Sequence, residues 1–418
     1  MIFAIIVAVM IFIDIYTYKG IYLIISEFKN KTVKKLLIIL FWLVSGSMLT
    51  LVFAGYLFRT ETKNLAMISR YYYLFGAFVV IYIPKIVFLV FHLVEDIIHA
   101  IRWSINKMVT RNSSNVITKG KPITRSKFLS QVGLGVAAVP FIAFFDGIVR
   151  GRFDFRVEKV RLVFPNLPKS FNGLKIVQVS DIHIGGFRGY EDKVKAAIDM
   201  VNAQNPDLIF FTGDLVNNFF DELDANWISI LAGMKSKLGN YSILGNHDYG
   251  NYFNWHSEAD KMANFQNIVN VHSNIGFHLL KNKSARLQRG NEAIAIIGVE
   301  NWGKAPFPQH ADYELASKDV KDVPFKILLS HDPTHWEVKI MNKEDVSLTM
   351  SGHTHGMQFG FKIGNYRWSP AKFRYPRWAG LYQEGKQYLY VNRGFGYIGF
   401  PGRVGMPPEI TVFELRNS

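Results

Sequence analysis

Residues 174–183 read Leu-Lys-Ile-Val-Gln-Val-Ser-Asp-Ile-His, and this stretch decides the fold class of the larger part of the chain. The apolar run at its start is typical of a buried strand in an α/β sheet. Asp181 and His183 follow the run directly, and both side chain types bind metal ions. Ligands bind beyond the carboxyl ends of strands in α/β sheets, so this junction predicts a ligand-binding edge.

Further segments downstream have the same character, with short apolar runs separated by polar loops. A connecting helix is predicted over 191–203, where apolar residues recur at helical spacing. The alternation predicts an α/β domain. The predicted strands are 174–180, 207–212, 241–244, 293–298, 326–330, 346–350, 388–391 and 410–414.

Oxygen and nitrogen ligands also follow four of the other predicted strands at the same end. Each group has an ordinary alternative, because an aspartate caps helices and Gly-Asn-His-Asp suits a turn. Five strands that all end in such residues nevertheless predict one shared crevice. The additional residues are Asp214 after 207–212, Asn246 and His247 after 241–244, His331 after 326–330, and His353 and His355 after 346–350.

The order of these residues resembles the calcineurin-like metallophosphoesterase superfamily, in particular its bacterial membrane-associated or exported branch. The resemblance implies two mixed β-sheets packed as a sandwich and flanked by helices, and it implies a metal-dependent phosphohydrolase. The motifs that carry it are Asp181-Ile182-His183, Gly213-Asp214, Gly245-Asn246-His247-Asp248, His331 and Gly352-His353-Thr354-His355.

The same resemblance implies a role for each ligand position. Two divalent cations, manganese ahead of iron or zinc, would neutralise the phosphate and its attacking nucleophile. His247 would act on the leaving-group side as a general acid or as a stabilising cation. Asp214 would bridge the ions, Asp181, His183 and His355 would complete the first site, and Asn246, His331 and His353 would complete the second.

Two positions depart from the family pattern. Asn217 stands where many relatives carry an acidic residue that orients the catalytic histidine, so we expect Asn217 or Asp248 to orient His247. Gly356-Met357-Gln358 replaces a common Gly-Gly-Gln, which leaves less room for close approach of the backbone. Arg393 lies in a turn near the end of the chain, where it is either a substrate contact or a plain surface arginine.

The N-terminal third differs in composition and predicts an all-α transmembrane region. A helix needs about 20 apolar residues to cross a bilayer. We therefore expect a membrane region over 1–149 and the phosphoesterase domain over 150–418. The four apolar runs of suitable length are roughly 2–26, 36–58, 71–94 and 129–148.

Two charges within these runs fall at similar depth if the first and third helices are parallel. Asp14 lies in the first run and Lys85 lies in the third. They predict an intramembrane ion pair. The alternative is that the ends of the runs are displaced by a turn and that one charge reaches the interface.

Positive charge is concentrated in the loops of the membrane region. Of the net charge of +15, the part before Arg150 contributes +10 and the remainder only +5. Positive loops indicate the cytoplasmic side, so four spans would place the large domain outside the cytoplasm and three would place it inside. The loop cations are Lys29, Lys31, Lys34 and Lys35, and then Arg102, Lys107, Arg111, Lys119, Lys121, Arg125 and Lys127.

A stretch near the end of the chain, 359–382, combines aromatic and cationic residues. Such a composition suits a membrane interface, a lipid phosphate or an aromatic ligand, and it is also compatible with an irregular surface excursion. The residues are Tyr366, Trp368, Phe373, Tyr375, Trp378 and Tyr382 with Lys362, Arg367, Lys372, Arg374 and Arg377.

The leading functional hypothesis is hydrolysis of a phosphomonoester or phosphodiester at a membrane surface, with a lipid-linked or envelope phosphate as the favoured substrate. One alternative is a nucleotide phosphodiesterase or nuclease, which the modest charge of the large domain and the lack of a long basic run disfavour. Another is a non-catalytic membrane sensor or scaffold with a vestigial site. The absence of cysteine excludes thiolate ligands and disulfides. No protein partner is inferred.

Overall fold

The computed structural model describes residues 2–57, 65–109, 125–364 and 366–418. The chain divides into two compact units. The first consists of Met1–Thr60 with Arg70–Asp146, and the second of Glu61–Ser69 with Gly147–Ser418.

Long apolar helices make up the first unit. Within the described ranges, four helices are long and apolar enough to cross a membrane. The third is longer than the predicted run 71–94 and contains Pro84. Of the predicted loop cations, Arg111, Lys119 and Lys121 lie outside the described residues. The helices are α1 (Ile2–Ile25), α2 (Lys31–Leu57), α3 (Leu65–Val109) and α4 (Arg125–Val149).

The predicted ion pair is formed inside this unit. The Nζ atom of Lys85 lies 2.6 Å from Oδ1 of Asp14, which is 1% exposed. The hydroxyl of Tyr82 donates to the other carboxylate oxygen at 2.9 Å, and Lys85 also donates to Ser45 Oγ at 2.8 Å. The pair therefore belongs to a polar network that joins α1, α2 and α3.

Two six-stranded sheets and a separate two-stranded hairpin form the described part of the second unit. All eight predicted strands are present within one to three residues of the expected bounds. The strands are β1 (Arg156–Phe164), β2 (Leu174–Val179), β3 (Leu208–Phe211), β4 (Asn240–Ser242), β5 (His278–Leu279), β6 (Lys283–Arg289), β7 (Glu292–Gly298), β8 (Lys326–Leu329), β9 (Leu348–Ser351), β10 (Phe361–Ile363), β11 (Tyr366–Trp368), β12 (Gly380–Glu384), β13 (Gln387–Val391) and β14 (Glu409–Asn417).

Both large sheets are mixed, as predicted. The first has the order β1-β14-β2-β3-β4-β5, in which β14 and β2 are antiparallel and the other neighbours are parallel. The second has the order β12-β13-β9-β8-β7-β6, with a parallel centre and an antiparallel pair at each edge. The parallel strands β2, β3 and β4 therefore end at one edge of the first sheet, and β8 and β9 end together in the second.

The two sheets share one apolar core, which confirms the predicted sandwich. Ile176 and Phe210 of the first sheet pack in the same buried cluster as Ile296 and Ile327 of the second. Helices cover the outer face of the first sheet, and a helix with a π-helical turn at Trp336–Ile340 covers the second. The helices on the first sheet are α5 (Glu191–Asn202), α6 (Ala225–Leu231) and α7 (Glu258–Asn274), and α8 (Tyr313–Ser317) packs on the second sheet.

We predict that Lys85→Met destabilises the full-length protein by about 3 kcal/mol, because it leaves the carboxylate of Asp14 buried without its cation. The double variant Asp14→Asn with Lys85→Met should recover most of that loss. Thermal unfolding in detergent measures the stability of the single and the double variant. Lys35→Met, at an exposed position of α2, is the control. A double variant less stable than Lys85→Met alone would contradict the pairing.

Candidate metal centre

The sandwich brings the predicted ligands together at the carboxyl ends of five strands. They form two clusters in which the ligand atoms of each cluster lie within 4.8 Å of one another. All of these side chains are buried or nearly so. The first cluster is Asp181, His183 and His355, and the second is Asp214, His331 and His353.

Asp214 lies between the two clusters, where the predicted bridging ligand belongs. Its Oδ2 atom is 3.1 Å from Nε2 of His331 in one cluster and 3.6 Å from Nε2 of His183 in the other. Asn246 joins the second cluster, because its Oδ1 lies 2.8 Å from Nδ1 of His353. All seven predicted ligands are thus adjacent.

The donor atoms fit divalent cations. Nε2 of His183 and Nε2 of His355 face each other at 3.1 Å, and the latter lies 3.3 Å from Oδ1 of Asp181. Imidazole nitrogens and carboxylate oxygens that converge in this way, without sulfur, are the donor set expected for manganese, iron or zinc.

The pKa values of the ligand side chains also favour a site for divalent cations. Burial would raise the pKa of Asp214, but His331, His247 and His183 lower it well below the usual value, so the carboxylate is ionised. Burial lowers the pKa of both His183 and His355, which keeps these imidazoles neutral and able to coordinate. His331 differs, since Asp214 overcomes the effect of burial and raises its pKa to about 10. A cation bound to its Nε2 would displace that proton.

Left-handed backbone conformations mark the ligand loops. Asp181, His183, Asp214, His353 and His355 have φ between 47° and 74°. Such conformations cost of order 1 kcal/mol or more for each non-glycine residue and persist where the surroundings hold them. With these conformations, Asp181 and His183 reach the ligand clusters from positions two residues apart, as do His353 and His355.

Asp248 holds two of these loops instead of orienting His247. Its Oδ2 accepts from the backbone N–H groups of Asp214 and Gly245, each at 2.9 Å, and its Oδ1 accepts from Leu215 at 2.8 Å. Both carboxylate oxygens are therefore committed to backbone amides. The suggestion that Asp248 serves His247 is not supported by these contacts.

The main chain orients His247. Its Nδ1 lies 2.8 Å from the carbonyl oxygen of Asn217, so Nδ1–H donates to that carbonyl and Nε2 is left for a ligand. The side-chain Oδ1 of Asn217 is buried without a hydrogen-bond partner in the described part of the chain. The prediction gave the orienting role to the side-chain amide of Asn217, whereas the hydrogen bond of His247 runs to the backbone carbonyl of that residue.

Sequence reasoning missed the group that fixes this carbonyl. Glu222 is buried and accepts from the backbone amides of Asn217 at 2.8 Å, Asn218 at 2.8 Å and Phe219 at 2.9 Å. The sequence signal was faint, because an acidic residue three positions after Phe219 is only half of a capping box.

Two tyrosines that were also missed contact the second cluster. The amide of Asn246 donates to the hydroxyl of Tyr252 at 2.8 Å, which aims the carbonyl oxygen of Asn246 at His353. Nε2 of His353 lies 2.8 Å from the hydroxyl of Tyr375. Burial raises the pKa of each phenol to about 12, so both hydroxyls remain neutral. These contacts fix the rotamers of two ligands.

Arg393 does not face the crevice. Its guanidinium is 3% exposed and donates to the carboxylates of Glu409 and Glu158. This pairing argues against the predicted contact with substrate. Arg403 is the arginine next to the ligands, since it lies 3.1 Å from Nδ1 of His355 and donates to the carbonyl of Arg393 at 2.7 Å.

A cavity of about 340 Å³ opens over the ligands. His247 lies in its wall together with Asp214 and other polar residues, and the aromatic and apolar part of the lining includes Phe307, Met357, Tyr375 and Phe400. The cavity can therefore hold a phosphate beside the ligands and an apolar group at the rim.

Family models match both parts of the chain. Residues 1–152 match the model described as "Probable Calcineurin-like phosphoesterase, transmembrane domain". Residues 174–357 match the model described as "Calcineurin-like phosphoesterase".

Similar proteins occur in bacteria and vertebrates. "Uncharacterized metallophosphoesterase YkuE" of Bacillus subtilis is 33% identical over 60% of this chain and 82% of its own length. "Transmembrane protein with metallophosphoesterase domain" of Danio rerio is 31% identical over 65% of this chain, which spans only 60% of that protein. "UDP-2,3-diacylglucosamine pyrophosphatase LpxG" of Chlamydia trachomatis is 27% identical over 60% of this chain and 86% of its own length.

We predict that Asn217→Ala changes turnover of a chromogenic phosphodiester by less than about threefold, because the carbonyl that orients His247 remains. His247→Ala should lower turnover by about 10² or more. Steady-state kinetics on the two variants measure the difference. A loss with Asn217→Ala as large as that with His247→Ala would mean that the side chain of Asn217 is the orienting group.

Proposed function

The chain belongs to the calcineurin-like phosphoesterase family, and we propose that this membrane metallophosphoesterase hydrolyses a phosphomonoester or phosphodiester carried by a lipid or by an envelope component. The observation that carries the proposal is the pair of buried ligand clusters joined by Asp214. Seven adjacent donors that are complete for two cations argue against a vestigial site.

The ligand sets define what the cations would supply. Asp181, His183 and His355 would hold one ion and Asn246, His331 and His353 the other, with Asp214 shared. Two divalent ions at such a site offset the negative charge of a phosphate and lower the pKa of water. Manganese is the ion we propose first, with iron or zinc as alternatives.

His247 supplies the proton chemistry. The carbonyl of Asn217 fixes the tautomer of the ring because it accepts a hydrogen bond from Nδ1–H. Nε2 is then the ring nitrogen that can donate to or accept from a group in the cavity. With Nε2 protonated, the imidazole donates to the leaving oxygen of the ester as that oxygen gains charge. The backbone N–H of His247 donates to Asp214 Oδ1 at 2.8 Å, which holds the catalytic ring at a fixed distance from the bridging carboxylate.

Three observations support a lipid-linked phosphate as substrate. The chain carries its own membrane helices, so substrates in the same bilayer meet the site at high effective concentration. The cavity has an aromatic and apolar rim. The relative from Chlamydia trachomatis is named as a pyrophosphatase of a diacylated sugar nucleotide.

We predict that the detergent-solubilised full-length protein hydrolyses chromogenic phosphate esters with Mn²⁺, and that chelation abolishes the activity reversibly. Asp214→Ala should lose the activity and bind less metal, whereas His247→Gln should lose activity by about 10² while it retains both ions. Metal analysis beside kinetics separates the two variants. Wild-type activity in Asp214→Ala, or no hydrolysis by the wild type with manganese, iron or zinc, would overturn the proposal.

We further propose that the phosphoesterase domain lies outside the cytoplasm. Four spans with the loop after α1 in the cytoplasm carry the chain outward at the end of α4. A reporter that is active only outside the cytoplasm, fused after Ser418, should be active, and a reporter that is active only in the cytoplasm should be silent. The reverse pattern would place the domain inside.

A further inference from the structure

The hairpin of β10 and β11 has one apolar face and one cationic face. Its strands pair Phe361 with Trp368 and Ile363 with Tyr366, and the intervening pair is Lys362 with Arg367. Residues directly opposite in an antiparallel pair share a face, and the faces alternate along each strand. The four apolar side chains therefore lie together on one side and the two cations on the other.

The apolar face is open to solvent. Ile363 is 71% exposed, Tyr366 is 58% exposed and Phe361 is 42% exposed. Phe373, in the 3₁₀ turn that follows, is 78% exposed. Single exposed apolar residues are common on soluble proteins, but three large ones on one face of a hairpin, with Phe373 close by in the sequence, indicate an interaction surface.

The aromatic rings of the hairpin contact one another on the apolar face. The ring of Phe361 stacks on that of Trp368, with centroids 5.6 Å apart, and Tyr366 lies 6.2 Å from Phe361. A two-stranded hairpin that belongs to neither large sheet has little stability of its own in water. A partner that buries the apolar face would add to its stability.

The exposed cations in this part of the chain indicate what kind of partner the apolar face binds. Lys372 and Arg374 are exposed on either side of Phe373 in the sequence, and Lys362 is exposed on the other face of the hairpin. Apolar and aromatic side chains bordered by cations match the headgroup region of an anionic bilayer, where rings lie at the interface and cations contact phosphates. The chain also carries membrane helices, so a bilayer is always present.

We propose that the surface formed by Phe361, Ile363, Tyr366 and Phe373, here called the docking surface, inserts into the headgroup region of an anionic lipid bilayer. Insertion would deliver a lipid-linked phosphate to the site, and this consequence rests on the proposed function. Insertion itself does not depend on that function.

The docking surface is continuous in sequence with the walls of the cavity. Met357 and Gln358, which line the cavity, precede the hairpin, and Tyr375, which also lines it, follows Phe373 by two residues. Insertion of the hairpin would therefore bring the part of the chain that forms this wall of the cavity toward the lipid headgroups. The apolar rim of the cavity then faces the acyl chains of the substrate.

The absence of native cysteine makes a direct test of insertion possible. The full-length variant Ile363→Cys, labelled with an environment-sensitive fluorophore, is reconstituted in vesicles of phosphatidylcholine and phosphatidylglycerol. We expect blue-shifted emission that lipid-borne quenchers reduce several-fold more than aqueous iodide does. Leu315→Cys, at an exposed position of α8, serves as the control and should respond to iodide. Replacement of phosphatidylglycerol by phosphatidylcholine, or high salt, should reduce both the blue shift and the lipid-borne quenching of the label at residue 363.

Two results would overturn the proposal. One is a label at residue 363 that is as accessible to iodide as the label at residue 315. The other is a shielded label that lipid-borne quenchers do not reach, which would mean that a second copy of the chain or another protein covers the surface.

A kinetic comparison links the docking surface to the site. The double variant Ile363→Ser with Phe373→Ser should hydrolyse a phosphoester lipid in vesicles several-fold more slowly and a water-soluble chromogenic ester at the wild-type rate. Equal losses on both substrates, or no loss on the lipid, would contradict delivery. If the wild type hydrolyses neither substrate, the proposed function fails, while the labelling result still decides insertion.

Discussion

The carboxylate of Asp248 is the interaction on which the geometry of the metal centre depends. It accepts backbone N–H groups from the loop after β3 and from the loop after β4. Those loops carry Asp214 and Asn246, so one buried side chain sets the separation of the bridging ligand from its neighbour. Burial and the charge of Asp214 raise the pKa of Asp248 to about 7, and the amides oppose this by stabilising the anion.

The rest of the centre follows from the requirement that buried polar groups have partners. The ligands are carboxylates and imidazoles withdrawn from water, a state that is costly unless cations or hydrogen bonds compensate. Asp181 accepts the backbone N–H of His353, Asn246 donates to Tyr252, and His247 donates to a carbonyl. The remaining donor atoms of the ligands face one another, which is unfavourable for the protein alone and favourable once a cation lies between them.

Much of the fold could be predicted because buried parallel strands read as uninterrupted apolar runs. The strands that were missed lack this signal. In β1 and β6, charged and polar residues are interspersed with apolar ones at the edge of a sheet, and β5 has only two residues. The short strands β10, β11 and β12 lie in or beside the aromatic and cationic stretch, and at three to five residues each they are too short for their pattern to predict a strand.

The ligand residues could be found because each lies within about four residues of the end of a strand, but the groups around them could not. A main-chain carbonyl such as that of Asn217 can belong to any residue, so nothing in the sequence distinguishes it. Tyr252 and Tyr375 reach the ligands only through the tertiary fold. Arg393 was predicted to meet a phosphate, and its partner Glu409 lies 16 residues further along the chain on β14, where no local pattern connects the two.

The segment after the last ligand joins the metal centre to the docking surface. The hydroxyl of Thr354, between His353 and His355, donates to the carbonyl of Trp378, and Ser369 donates to the carbonyl of Gly356. Tyr375 contacts His353 from the same segment. These bonds hold Ser369, Tyr375 and Trp378, which follow the hairpin in the chain, against the ligand loop. The residues of the docking surface itself make none of these three bonds, which agrees with the expectation that their substitution leaves the hydrolysis of a soluble ester unchanged.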